Sequence, residues 1–169
     1  MRNNIRLKPD QIDRIEVHTY KLAVGSHDHT EIMGISSAKL STPYAVALAI
    51  VKGSAGYADY NEANLNDYNI KMLTHKVSVI EDENLTAQSP AVRGARVTIY
   101  LKNGNVFEAP CLYPKGEPEH PLTKEELEEK FRGLAMYGGM THVECDEVIE
   151  EIGKDNFSIN KIIKLVCKK

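Results

Sequence analysis

The clearest pattern along the chain is the alternation in residues 13–20. Ile15, Val17 and Thr19 fall on one side, and Arg14, Glu16 and His18 on the other. A period of two is that of a half-buried strand. Residues 25–40, rich in Gly, Ser and His, read as a loop. Ser41, Thr42 and Pro43 then open a helix, with a hydroxyl to cap it and a proline near its first position. The following residues 45–51 are apolar all round, which predicts a buried helix ended by Gly53. Leu65, Tyr68 and Met72 recur at helical spacing, so residues 57–76 read as one or two short helices. Val77 and Val79 mark a second strand over 76–81, and a polar loop is expected over 83–94.

Residues 95–102 and 105–111 flank Asn103-Gly104, a pair that tolerates positive φ and signals a hairpin, with Val97, Ile99 and Leu101 facing the core. A proline-rich loop over 113–122 leads to Thr123 and Glu126, spaced as a capping box. Leu127, Phe131 and Leu134 line one face of the helix behind it, and Gly138-Gly139 breaks it. Val148, Ile149 and Ile152 mark another helix ended by Gly153. Ser158 caps a last one carrying Ile159, Ile162, Ile163 and Val166. Strand, helices, three strands, then helices is the order of an α+β two-layer sandwich, a mainly antiparallel sheet with helices and a C-terminal helical tail. One domain over 1–169 is expected, with residues 1–10 as a linker and 123–169 as the tail.

Composition narrows the function classes. The 169 residues carry a net charge of −3, with 42% hydrophobic and 27% charged. That is globular, and it offers no concentrated positive charge for nucleic acid. The longest apolar run, 44–51, falls far short of the roughly 18 residues of a membrane span. The first nine residues are polar and basic without an apolar stretch, so no signal peptide is expected. Cys111, Cys145 and Cys167 are widely spaced and odd in number, which suggests reduced thiols and a cytoplasmic setting.

Two stretches carry a family resemblance. Ala38-Lys39-Leu40-Ser41-Thr42-Pro43-Tyr44-Ala45-Val46-Ala47-Leu48-Ala49, followed by Gly53, is similar to the start of a buried helix in the MmgE/PrpD family. Tyr113-Pro114-Lys115-Gly116-Glu117-Pro118-Glu119-His120-Pro121-Leu122-Thr123, running on to Lys130-Phe131, resembles that family's proline-lysine-glycine loop and the acidic helix behind it. Between them, residues 67–79 and the hairpin over 95–108 fall in the family's order, so the resemblance spans about Pro9 to Val166. It matches the C-terminal small, or lid, domain.

The family includes 2-methylcitrate dehydratase, cis-aconitate decarboxylase and iminodisuccinate epimerase. The resemblance therefore implies small polycarboxylate substrates, no metal or organic cofactor, and homo-oligomers. It also implies a large helical N-terminal domain that carries most of the catalytic set. On the family pattern this chain begins after that domain, so it is expected to be either a fragment of a longer enzyme or a subunit completed by a separately encoded helical domain, with little activity alone. The alternative is a non-catalytic dimerisation or carboxylate-binding module.

The candidate site is the helix start. Lys39 supplies a cation, Ser41 and Thr42 supply hydroxyls, and free amides with the helix dipole would favour an anion there. These three are the expected substrate contacts. Tyr44, in the first turn, matches a family tyrosine facing the domain cleft, and so is the expected catalytic residue. A purely structural role, with Ser41 as a cap and Tyr44 as a core residue with its hydroxyl satisfied, competes with this. His27-Asp28-His29 offers too few ligands for a zinc site and reads as an exposed loop. Lys115-Gly116 lacks the remaining residues of a phosphate loop. Cys111 and Cys145 read as packing residues, and His142 and Asp146, four apart, as a structural pair.

Overall fold

A computed structural model describes residues 7–167. The linker expected over 1–10 lies outside the described residues as far as Arg6. The chain divides into two compact units, one ending at Glu117 and one beginning at Pro118.

The first unit is built on a four-stranded sheet in the order β2-β1-β3-β4, with β1 Ile12–Thr19, β2 Val77–Glu81, β3 Ala95–Leu101 and β4 Val106–Cys111. β1 runs parallel to β2 and antiparallel to β3, and β3 is antiparallel to β4. The sheet is thus mainly antiparallel, as its hairpin and alternating strands predict. Four helices cross from β1 to β2: α1 Ile35–Lys39, α2 Thr42–Lys52, α3 Glu62–Leu65 and α4 Tyr68–Thr74.

Alternation decides which face of the sheet is covered. Ile15, Val17 and Thr19 are buried. A register shift between Ile12 and Arg14 turns Ile12 inward as well. Ala47 and Leu48 of α2 and Ile70 and Leu73 of α4 close over them, all fully buried. Each large aliphatic side chain so enclosed stabilises the fold by about 1.5–3 kcal/mol. Val97, Ile99 and Leu101 pack against this core, as expected. The opposite face is polar. Tyr100 donates to Glu16 at 3.0 Å, and the Arg14 guanidinium lies 3.6 Å from the Tyr100 ring centroid. The Tyr100 bond, and then one from Arg14 Nε at 3.2 Å, lower the Glu16 pKa.

Three expectations need correction. α2 is not buried all round: Pro43, Tyr44, Ala47 and Leu48 are enclosed, while Ala49 is exposed, because only one layer covers the helix. The loop over 25–40 contains α1. The loop over 83–94 contains α5 Glu83–Gln88, because the Asp82 carboxylate accepts the amides of Asn84 and Leu85 and caps it.

The second unit holds α6 Lys124–Tyr137, α7 His142–Ile152 and α8 Ile159–Val166. Thr123 and Glu126 form the expected capping box, and Thr141 and Glu144 form a second. His142 and Asp146 pair at 2.9 Å, and Asp146 also receives Arg132 at 2.9 Å. Glu151 of α7 is buried. It accepts Lys154 and Lys161 at 2.8 Å each and the Ser158 amide at 3.0 Å, tying α7 to the start of α8.

Candidate functional site

The start of α2 is set by Ser41. Its hydroxyl accepts the Tyr44 amide at 3.1 Å and donates to the His29 carbonyl at 2.6 Å. The Thr42 amide donates to the His27 carbonyl at 2.8 Å, Pro43 has no N–H, and the Ala45 amide donates to the Ser41 carbonyl at 3.0 Å. Every early donor of the helix is therefore occupied. The anion cradle of free amides expected here is not formed, because Ser41 accepts the Tyr44 and Ala45 amides and the His27 carbonyl accepts that of Thr42.

The two histidines of that segment hold it in place. His27 Nδ1 lies 2.9 Å from the Leu40 carbonyl, and His29 Nε2 lies 3.2 Å from the Ser37 carbonyl. They are half-buried struts, whereas the sequence suggested an exposed loop. Among the described residues no group of three or more His, Cys, Asp or Glu is arranged to hold a metal ion.

Lys39 is the last residue of α1, and its ammonium stands 3.9 Å from the centroid of the Tyr57 ring. Tyr44 is 1% exposed, and its ring meets that of Tyr60, with centroids 5.9 Å apart. The segment after α2 thus supplies an aromatic partner to each. Ser41 is buried inside the cap and Thr42 is half-buried.

The Tyr44 hydroxyl is enclosed and has no hydrogen-bond partner among the described residues. A buried polar group left unpaired costs about 1–3 kcal/mol, so this one is unusual enough to mark a site. Burial pushes the phenol pKa up, with the neighbouring Tyr60 and Asp67 adding to the shift. Tyr44 is therefore a neutral O–H at ordinary pH, able to donate a hydrogen bond or a proton.

Tyr44 also forms part of the wall of a cavity of about 140 Å³, together with Thr30, Glu31, Lys71, Thr74 and His75. Sequence reading missed Lys71 and His75. Their signal was present, as two basic residues four apart on a helical stretch, but only the fold brings them beside Tyr44. Of the thiols, Cys145 is buried as expected. Cys111 is exposed, because it ends strand β4, and its sulfur lies 3.5 Å from the Tyr113 carbonyl.

No curated protein matches the chain. The family model described as MmgE/PrpD C-terminal domain matches residues 1–154, a stretch that ends before α8. With nearly the whole chain matched by that one model, on a mainly antiparallel α+β fold, the chain belongs to the MmgE/PrpD family as its C-terminal domain.

Proposed function

We propose that the chain is the small, lid-like domain of a polycarboxylate lyase or isomerase of the dehydratase, decarboxylase or epimerase type. The match to the family's C-terminal domain over 154 residues carries this reading. Tyr44 is the side chain it contributes to the chemistry. A neutral phenol in a desolvated setting can donate to a substrate oxygen as charge develops there or as a hydroxyl departs. Reaching its hydroxyl requires the residues over it to shift, a rearrangement that domain closure supplies. Closure would also exclude water from the reacting acid. Lys39 is the second contribution, as a cation that leaves the Tyr57 ring for a carboxylate.

On this reading a helical domain completes the site, and the assembly is a homo-oligomer. A reducing, cytoplasmic compartment agrees with the free Cys111, Cys145 and Cys167.

The test is turnover. The chain would be assayed with 2-methylcitrate, cis-aconitate and iminodisuccinate, alone and mixed with a helical domain of the same family. Turnover only in the mixture is the expected result. Full turnover by the chain alone would sink the split site. Carboxylate binding without turnover in any mixture would favour a non-catalytic binding module.

A further inference from the structure

The cavity beside Tyr44 carries two basic side chains that the family resemblance does not assign. Lys71 lies in α4 and His75 caps its C-terminal end, so the two, four residues apart, stand on one helix face. Both line the cavity, with Tyr44 in the wall contributed by α2. The Lys71 ammonium donates to the Asn66 side-chain oxygen at 3.3 Å, a neutral partner. Thr74, between them, commits its hydroxyl proton to the Ile70 carbonyl at 2.8 Å and so gives the cavity no donor. The walls thus combine a cation and an imidazole beside a tyrosine whose own hydroxyl lacks a partner among the described residues. A volume of about 140 Å³ holds a group of a few non-hydrogen atoms, not a whole cofactor. Glu31 lines the same cavity from the segment before α1, so the negative charge the pocket accepts is small.

We propose that this cavity binds one carboxylate arm of a small organic acid, with Lys71 and His75 as its anion-binding residues. The choice of a carboxylate rests on the polycarboxylate reading above. The pocket's composition stands independently of it. Ammonium and imidazole donors suit a planar oxyanion, and charge-assisted bonds are the stronger ones. Glu31 opposes a second charge on the same arm, so the rest of the acid points out of the cavity.

The test is a titration of the 169-residue chain with acetate, succinate and cis-aconitate at constant ionic strength, followed by heteronuclear NMR. Acetamide serves as the neutral control. Saturable shifts at residues 71–75 with the acids, and none with acetamide, are expected. The double variant Lys71→Gln, His75→Gln should bind about tenfold more weakly or worse. Both side chains are exposed, so the fold should survive, and an unchanged far-UV CD spectrum would verify it. Glu31→Gln should tighten binding. No saturable shift with wild type, or equal affinity in the double variant, overturns the proposal. Loss of binding in Glu31→Gln also overturns it, since Glu31 would then hold the acid and not oppose its charge.

The enzyme reading fails separately. Carboxylates held by Lys71 and His75, with no turnover in any mixture with a helical domain, keep this site and remove the lyase. Turnover in the mixture that ignores the double variant does the reverse.

Discussion

The Ser41 hydroxyl accepts the Tyr44 amide at 3.1 Å, so the residue that caps α2 also fixes the first turn on which the candidate catalytic phenol stands. The same hydroxyl donates to His29, joining the cap to the preceding loop. Ser41→Ala would remove both bonds from a buried position. The expected loss is about 2 kcal/mol, the upper part of the range for N-cap removal. Urea unfolding measures it. Ser41→Thr should restore most of the loss, and a change under 0.5 kcal/mol (roughly the noise of a surface substitution) would contradict the geometry.

Tyr44→Phe should behave in the opposite way. The hydroxyl it removes is buried and unpaired, so the variant should be as stable as the parent or more stable by up to about 1 kcal/mol. A hydroxyl that was satisfied would instead cost about 0.5–1.5 kcal/mol on removal. The urea midpoint separates the two. A stability gain coupled to a loss of function is the pattern of a functional site.

Glu151 sets an acid limit on the pairing of α7 with α8. Bonds from Lys154, then Lys161, then the Ser158 amide lower its pKa from the ordinary 4.5 to about 2. A depressed pKa stabilises the folded form above the ordinary value, and that contribution is lost as pH falls from about 4.5 through about 2. The protection factors of the α8 amides should therefore fall over that window. In Glu151→Gln they should already be low at neutral pH. Equal protection in parent and variant would show that apolar contacts alone hold α8.

Asp67 joins two elements near the site. It caps α4 through the amides of Asn69 and Ile70 and pairs with Lys52 of α2 at 2.8 Å. The Lys52 bond is the main reason its pKa is lowered. Asp67→Asn keeps a capping oxygen and should cost about 0.5 kcal/mol, the worth of a partly exposed ion pair. Asp67→Ala removes the cap too and should cost about 1 kcal/mol more. Thermal denaturation of the two variants would order them.

Local signals carried most of the fold. The alternation of β1, the hairpin at Asn103-Gly104 and the Thr123–Glu126 box are each written in adjacent residues, and each forms, the turn with Gly104 alone of its pair at positive φ. α5 was missed because its signal is one Asp82 cap over a short polar stretch. The site was less legible. Ser41 as a cap could be seen, but the acceptor of the Thr42 amide is the His27 carbonyl, whose return path is tertiary. The unpaired hydroxyl of Tyr44 is likewise a fact of packing. Lys71 and His75 lie 27 and 31 positions beyond Tyr44, and no local pattern links them to it.

The most direct test of the central claim is the Tyr44→Phe chain in the mixture with a helical domain. Turnover should fall by about a hundredfold or more, the usual contribution of a positioned proton donor, while the urea midpoint holds or rises. Turnover equal to the parent's, with the variant folded, would contradict the account and leave Tyr44 a core residue.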